Sequence, residues 1–456
     1  MLKKVLIANR GEIAVRIIRA CRELGIHTVA VYSTADKNAL HAKIADQAVC
    51  IGPPQSSKSY LNIESVIAAC EITGADAVHP GFGFLSENPA FARACEKCGI
   101  TFVGPTADSM EMLGKKAKAK ETMKQSGIPV ITGLDGIVES ISDAYDIAQK
   151  LGYPVMIKAS SGGGGRGIRI ARTPRELERQ ITLAKQEATV CFGNDDIYIE
   201  KYIENPKHIE IQILADDYGN VISLGERDCS MQRRNQKVLE ESPSPAGFIT
   251  DELREKMGES ARTAAKACGY RNAGTVEFLA DKQGNYYFME MNTRIQVEHP
   301  ITEQVTGVDL VQQQLLIAGG ERLDISQNDI KPRGHAIECR INAENPIKGF
   351  CPSSGVIDSL YIPGGKGIRV DTAVYQGYEI PPYYDSMIAK LITFADTRQQ
   401  AVAKMRWALS EFIVDGISTN IDFLLKLIRT QEFLDGSYDN GFLCRTDIMQ
   451  MEKEAD

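Results

Sequence analysis

The chain contains little of what export, membrane insertion or nucleic-acid binding would require. No apolar run approaches the roughly 20 residues of a spanning helix. Its start, Met1-Leu2-Lys3-Lys4-Val5-Leu6-Ile7-Ala8, is basic and then apolar for only the length of a strand. No small-residue cleavage site follows, so no signal peptide is expected. A formal charge of −8 argues against a general nucleic-acid binder. The eleven cysteines are scattered and odd in number, the pattern of a reducing cytoplasm rather than a disulfide scaffold. Cys95 and Cys98 form an isolated C-x-x-C inside an apparent helix, with no second pair to complete a zinc site. G-x-G-x-x-G is missing after the first strand, which removes the support for a dinucleotide site and a nicotinamide oxidoreductase.

What remains is a soluble globular composition, 43% hydrophobic and 25% charged over 456 residues, long enough for two to four domains. The densest chemistry lies in Met289-Glu290-Met291-Asn292-Thr293-Arg294-Ile295-Gln296-Val297-Glu298-His299. The aromatic run Tyr286-Tyr287-Phe288 before it prefers a strand. Alternation places Glu290 and Asn292 on one face, and Met289 and Met291 on the other, where both can be core. Thr275 to Leu279 reads as a partner strand, joined through the turn-rich Asp281-Lys282-Gln283-Gly284-Asn285. That hairpin brings Glu277 near Glu290, with the register open by one residue. Two carboxylates and an amide oxygen suit Mg²⁺ carried by nucleotide phosphates.

Elsewhere the pattern alternates between strands and helices. Val5-Leu6-Ile7-Ala8, a helix from Glu12 to Leu24 and the strand His27 to Tyr32 imply a parallel sheet. Ala75 to Val78 and Ile100 to Val103 continue it. Between these two lies the glycine-punctuated loop His79-Pro80-Gly81-Phe82-Gly83, at a strand's carboxyl end, where open α/β sheets place ligands. Asp108 to Gln125 reads as one helix with Lys115, Lys116, Lys118 and Lys120, among which the sequence does not choose. Gly127-Ile128-Pro129 reads as a linker. Lys158 ends a strand, and the glycine run Gly162 to Gly167 leads into a return strand. Such glycines can aim N–H groups at phosphates, but this is no P-loop, because a strand and not a helix follows. A mobile flap over a nucleotide is expected. His208 to Ile213 alternates, with His208, Glu210 and Gln212 on a polar face. Glu226 to Lys237 reads as a charged loop of net positive sign. Helices are expected over Asp251 to Cys268, Thr302 to Ala318, Thr397 to Phe412 and Ser418 to Arg429. A third region starts near Lys331, where Arg340 shares the polar face of a strand with Glu338 and Asn342.

Taken together, these motifs resemble biotin carboxylase, a carboxylating ligase of the ATP-grasp class. They run from Ile7-Ala8-Asn9-Arg10-Gly11-Glu12-Ile13-Ala14 through His79-Pro80-Gly81, the glycine run, Glu226-Arg227-Asp228-Cys229-Ser230, Gln232-Arg233-Arg234 and Met289 to His299, to Glu338-Cys339-Arg340-Ile341-Asn342-Ala343-Glu344. The resemblance implies an α/β fold, α+β in parts. An N-terminal Rossmann-like parallel-sheet domain (1–114) precedes an ATP-grasp domain (115–330), with a glycine-loop lid over about 130–204, and a C-terminal mixed domain (331–456). It implies that Lys116, Lys158 and His208 contact ATP phosphates, Gly164 and Gly165 cover them, and Glu200, Lys201, Tyr202 and Ile203 hold the adenine edge. Glu277, Glu290 and Asn292 would hold two Mg²⁺ or Mn²⁺ ions. Lys237, Arg294, Gln296 and Val297 would bind bicarbonate, Glu298 would deprotonate it, with Arg294 favouring its ionised form, and Arg340 would stabilise the biotin enolate.

Two positions depart from the family pattern. Asn235 stands where His is frequent, near ATP, and Phe82 where Tyr is common, near biotin. Asn keeps a donor and an acceptor but carries no positive charge. Ala403-Lys404-Met405-Arg406 only echoes the biotin-attachment motif Ala-Met-Lys-Met, so biotin is expected to arrive on a separate carboxyl carrier protein. The resemblance further implies carboxyltransferase partners of an acetyl-CoA carboxylase, a homodimer and a cytoplasmic location. The rival readings are another ATP-grasp ligase, of the carbamoyl-phosphate or amino-acid type, and a silent nucleotide-binding subunit.

Overall fold

The computed structural model describes residues 1–133, 137–138, 140–159, 168–192 and 195–451. Its first layer is a five-stranded parallel sheet. From one edge to the other its strands are Gln47–Gly52, His27–Ser33, Lys4–Ile7, Ala77–His79 and Thr101–Phe102. The inner strands are short apolar runs because both faces are covered, whereas the edge strand Gln47–Gly52 is largely exposed. Val5, Leu6, Ile7, Val29, Ala30 and Val31 have no exposed surface. The first crossover is the helix Gly11–Glu23, which buries Ile13, Ile17, Ile18 and Cys21 as the periodicity implies.

An eight-stranded antiparallel sheet carries the rest. Its order is Tyr286–Asn292, Asn272–Ala280, Lys207–Ala215, Val221–Arg233, Gln236–Ser242, His335–Asn342, Met387–Ala395 and Ile368–Thr372. The sheet therefore runs unbroken from the Glu277 hairpin into the strands beyond residue 331. Ile209, Ile211 and Ile213 face the helix Asp251–Ala267, which contributes Met257, Ala261, Ala264 and Ala265 to the same core. Thr250 caps that helix by accepting from the Leu253 N–H. A smaller antiparallel sheet of Ile168–Ala171, Val155–Ala159 and Ile197–Lys201 packs with the helices Ile141–Leu151 and Pro174–Phe192. The glycine run, with Gly164 and Gly165, lies outside the described residues. Among the described residues no helix is long and apolar enough to cross a membrane.

Several local expectations need correction. Residues 226–237 form no charged loop. They span the paired strands Val221–Arg233 and Gln236–Ser242, turning at Arg234 and Asn235, both at positive φ. Arg227 and Asp228 are fully buried. Their charges are cancelled across the sheet, which periodicity does not register. The polar face of His208, Glu210 and Gln212 is buried for the same reason. The helix read over 108–125 breaks into Ala107–Gly114 and Lys116–Gln125, because Lys115 is extended. The helix read over 302–318 is His299–Thr306 and Leu310–Ala318. Gly307 ends the first in the left-handed region, and Asp309 caps the second. Residues 127–129 are no free linker. Ile128 is buried, and the Pro129 carbonyl accepts from the Phe288 N–H at 2.7 Å.

Candidate active site

A cavity of about 1030 Å³ opens where the antiparallel sheet, the loops after the parallel strands and the smaller sheet converge. Phe82, Lys116, Lys158, Glu200, His208, Asn235, Lys237, Glu277, Glu290, Asn292, Arg294, Gln296, Val297 and Arg340 all line it. The break at Lys115 answers what the lysine run left open: Lys116 and Lys120 reach the cavity wall. Lys116 Nζ lies 3.3 Å from Glu290, and Lys120 Nζ lies 3.6 Å from Glu200, which also pairs with Lys158. Lys201, Tyr202 and Ile203 do not line the cavity. Lys201 turns its ammonium to the carbonyls of Gly152 and Tyr153, and its N–H to that of Thr132.

The hairpin puts Glu277 directly opposite Glu290, and Thr275 opposite Asn292. A bulge between Glu277 and Phe278 shifts the register there. Met291 is core, as expected, but Met289 is 36% exposed, displaced by that irregularity. Asn292 Nδ2 donates to Glu277 Oε1 at 2.8 Å. His208 accepts from Gln232 at Nδ1, 2.9 Å, and its Nε2 lies 3.0 Å from Glu277 Oε2. Burial raises the Glu277 carboxyl, but Lys237 and His208 outweigh it and hold the group ionised, well below the usual range. An ionised carboxylate facing a second one fits a hard divalent cation, while the Asn292 amide turns its nitrogen to Glu277 and its oxygen to Arg294.

Deeper in, Lys237 plays the part of the cation. Its Nζ bonds Glu210 at 2.6 Å, Glu298 at 2.6 Å and Glu277 at 3.2 Å. It thereby compensates the acidic groupings His208–Glu210–Glu277 and Glu210–Cys229–Glu298. Glu277, Glu290 and Asn292 lie on the cavity side of it.

Glu298 is fully buried behind the cavity wall. Its Oε2 accepts from Arg340 at 2.9 Å, opposite the Lys237 contact on Oε1. Burial raises this carboxyl too, yet Lys237, Arg340 and Arg227 hold it well below the usual range. The expectation that Arg294 keeps Glu298 ionised is thus corrected. Arg294 instead pairs with Glu87 at 3.0 Å and donates to Gln296 Oε1 at 3.0 Å.

Sequence reasoning gave no site role to Glu87, Glu210, Arg227 or Glu240. Arg227 spreads four hydrogen bonds over Glu210, Gln212, Thr302 and Thr275. Glu240 accepts from Arg340 Nε at 2.7 Å and so orients its guanidinium. Only Glu210 carried a signal, an acid between isoleucines in an alternating strand; Glu226-Arg227-Asp228 and Glu240-Glu241 are consecutive charges and Glu87 lies in a turn. Asn235 sits at φ 63°, a conformation Asn tolerates well. Phe82 has its carbonyl held by Asn9 Nδ2 at 2.7 Å.

Family models for the biotin carboxylase N-terminal domain, the ATP-binding domain of the carbamoyl-phosphate synthase L chain and the biotin carboxylase C-terminal domain match residues 1–110, 115–326 and 338–445. The chain is 59% identical to biotin carboxylase 1 of Bacillus subtilis, over 98% of this chain and 100% of that one. It is 55% identical to the 2-oxoglutarate carboxylase small subunit of Hydrogenobacter thermophilus, over 97% of this chain and 93% of that one. The crystal structure of that carboxylase's biotin carboxylase domain dimer, with MgADP, ADP and bicarbonate, superposes with a TM-score of 0.90 at 53% identity, covering 99% of this chain and 100% of that one. Three successive domain models and end-to-end likeness to such proteins show that the chain belongs to the biotin carboxylase family, with its ATP-grasp fold.

Proposed function

We propose that the chain carboxylates biotin borne on a separate carrier protein, from ATP and bicarbonate through carboxyphosphate, as the first half-reaction of an acetyl-CoA carboxylase in fatty acid synthesis. The observation that carries this reading is the bracketing of Glu298. One of its carboxylate oxygens meets Lys237 and the other meets Arg340. A base kept ionised between two cations suits a reaction that first activates bicarbonate and then a ureido nitrogen.

In this reading bicarbonate lies against Lys237, Arg294, Gln296 and Val297, and Glu298 takes its proton. The oxygen so freed attacks the terminal phosphorus of ATP, and ADP leaves. Lys116, Lys158 and His208 neutralise the phosphates, and positioning matters more than covalent help. Gly164 and Gly165 would cover them, with Glu200 at the adenine and Asn235 near the nucleotide. Glu277, Glu290 and Asn292 would hold Mg²⁺ or Mn²⁺, which supplies charge neutralisation on the phosphates. Carboxyphosphate splits into CO₂ and phosphate, and that phosphate takes the ureido proton. Arg340, fixed by Glu240, offers donors to the ureido oxyanion while the nitrogen attacks CO₂. Phe82 would border the biotin ring.

The working division is 1–114, 115–330 with its lid, and 331–456, in a cytoplasmic homodimer working with carboxyltransferase subunits. The solved dimer of the 2-oxoglutarate enzyme, bound to MgADP and bicarbonate, supports the nucleotide, the metal and the assembly. Lys404, in the echo of the attachment motif, lies within the helix Arg398–Glu411 and donates to the Phe394 carbonyl at 2.8 Å. That supports biotin arriving on another chain.

The test uses purified protein, ATP, Mg²⁺, labelled bicarbonate and a biotinylated carrier. Acid-labile label on the carrier is expected, passing to acetyl-CoA when a carboxyltransferase is added. No label on the carrier would defeat the activity. Transfer only to a 2-oxo acid would reassign the pathway, and biotin found covalently on this chain would defeat the separate carrier.

A further inference from the structure

Lys390 lies in the strand Met387–Ala395 with no exposed surface. Its Nζ donates to the Val297 carbonyl at 2.9 Å. Glu12 Oε2 stands 3.2 Å from it and Asp371 Oδ2 stands 3.9 Å away. Asp371 is already taken by Arg369, through hydrogen bonds of 2.9 and 2.7 Å. Glu12 is therefore the nearest counter-ion. A well-packed apolar side chain is often as stable as a buried ion pair, or more so. Packing alone does not explain an ammonium here.

What the ammonium holds supplies a reason. Val297 lines the cavity beside Arg294 and Gln296, while its carbonyl is bonded by Lys390. In a trans peptide the next N–H, that of Glu298, points opposite to that carbonyl. Lys390 therefore fixes the plane of the peptide that joins a cavity-lining residue to the base. Glu12 comes from the first turn of the helix Gly11–Glu23, and Asn9, Arg10 and Gly11 line the same cavity. The pair ties the start of the N-terminal helix to the loop that carries Glu298.

We propose that Lys390 is a positioning residue for the bicarbonate step: paired with Glu12, it sets the Val297–Glu298 peptide so that bicarbonate binds within reach of the base. This rests on the bicarbonate site described above.

The experiment is steady-state phosphate release by Lys390→Met and Glu12→Gln, with bicarbonate and ATP varied separately and thermal midpoints measured beside them. Losing a charged hydrogen bond should raise KM for bicarbonate at least about tenfold in Lys390→Met, and about threefold in Glu12→Gln, with KM for ATP within about twofold. A merely structural lysine would lower the midpoint and leave that split unmoved. An unchanged KM for bicarbonate in the folded variants, or an equal rise in both constants, would overturn the proposal. If Lys390→Met does not fold, Glu12→Gln decides by the same criterion. Wild-type protein in the same assay separates the two levels. Without bicarbonate dependence there, the function itself fails; with it, only the role of Lys390 is at stake.

Discussion

The parallel sheet and the antiparallel sheet are buried to a similar depth, but the second buries far more charge. In the first, Leu6, Val29 and Val31 exclude water with hydrocarbon alone. In the second, Glu210, Arg227, Glu240 and Lys390 are just as hidden but must find charges to answer theirs. Burial of carbon stabilises a fold, whereas burial of paired charge chiefly fixes geometry at a cost in desolvation. Carbon-only sites should therefore lose stability without losing turnover, whereas removing one partner of a buried pair should cost both.

The strongest way to break that contrast is at the bracketed base. Glu298→Gln and Arg340→Ala should each lower biotin-dependent turnover at least tenfold, and on the order of 10²-fold where transition-state charge is lost. Initial rates on folded protein check this, and near-normal rates in either would remove its role. Next in size is Leu6→Ala, expected to cost about 3 kcal/mol in denaturant unfolding, while kcat of the folded fraction stays near wild type. A loss of turnover without loss of stability would erase the distinction.

Acid sharpens the comparison. Burial pushes His41, beside the parallel sheet, down to about 4. The unfolded chain binds that proton below about 6.5, and the folded chain only below about 4. The stability contributed by the neutral ring is therefore complete above 6.5 and is lost as pH falls from 6.5 to 4. His41→Gln should flatten unfolding free energy over that interval by up to about 3 kcal/mol; an unchanged slope would contradict it. The smallest effect is expected where the two regions meet, at Phe82. Phe82→Tyr returns a hydroxyl to the cavity wall and should lower KM for biotin by about threefold, the worth of one modest hydrogen bond. No change would mean that the ring edge faces away from biotin.

How far the sequence could be read follows the same divide. Strands such as Lys4–Ile7 and the helix Gly11–Glu23 were legible because hydrophobic period maps directly onto burial. The Glu277–Glu290 pairing was legible because turn residues and alternation bounded it, although the irregularity at Met289 was not. The hairpin through Arg227 was illegible, since a charged strand whose partners lie on other strands looks like a solvated loop. Helix ends at Lys115 and Gly307 were missed because apolar spacing continued across them. Among the site residues, Glu277, Glu290, Arg294 and Lys237 do share one cavity. The source of Glu298's charge was misassigned, because Lys237 and Arg340 are far from it in sequence but touch it in space.

Whether an ionised Glu298 frees a bicarbonate oxygen to attack the terminal phosphate is decided by isotope transfer. With oxygen-18 bicarbonate and unlabelled ATP, each inorganic phosphate released should carry an oxygen from bicarbonate, and Glu298→Gln should slow labelled and total phosphate release together. Phosphate released at the normal rate without label would contradict it.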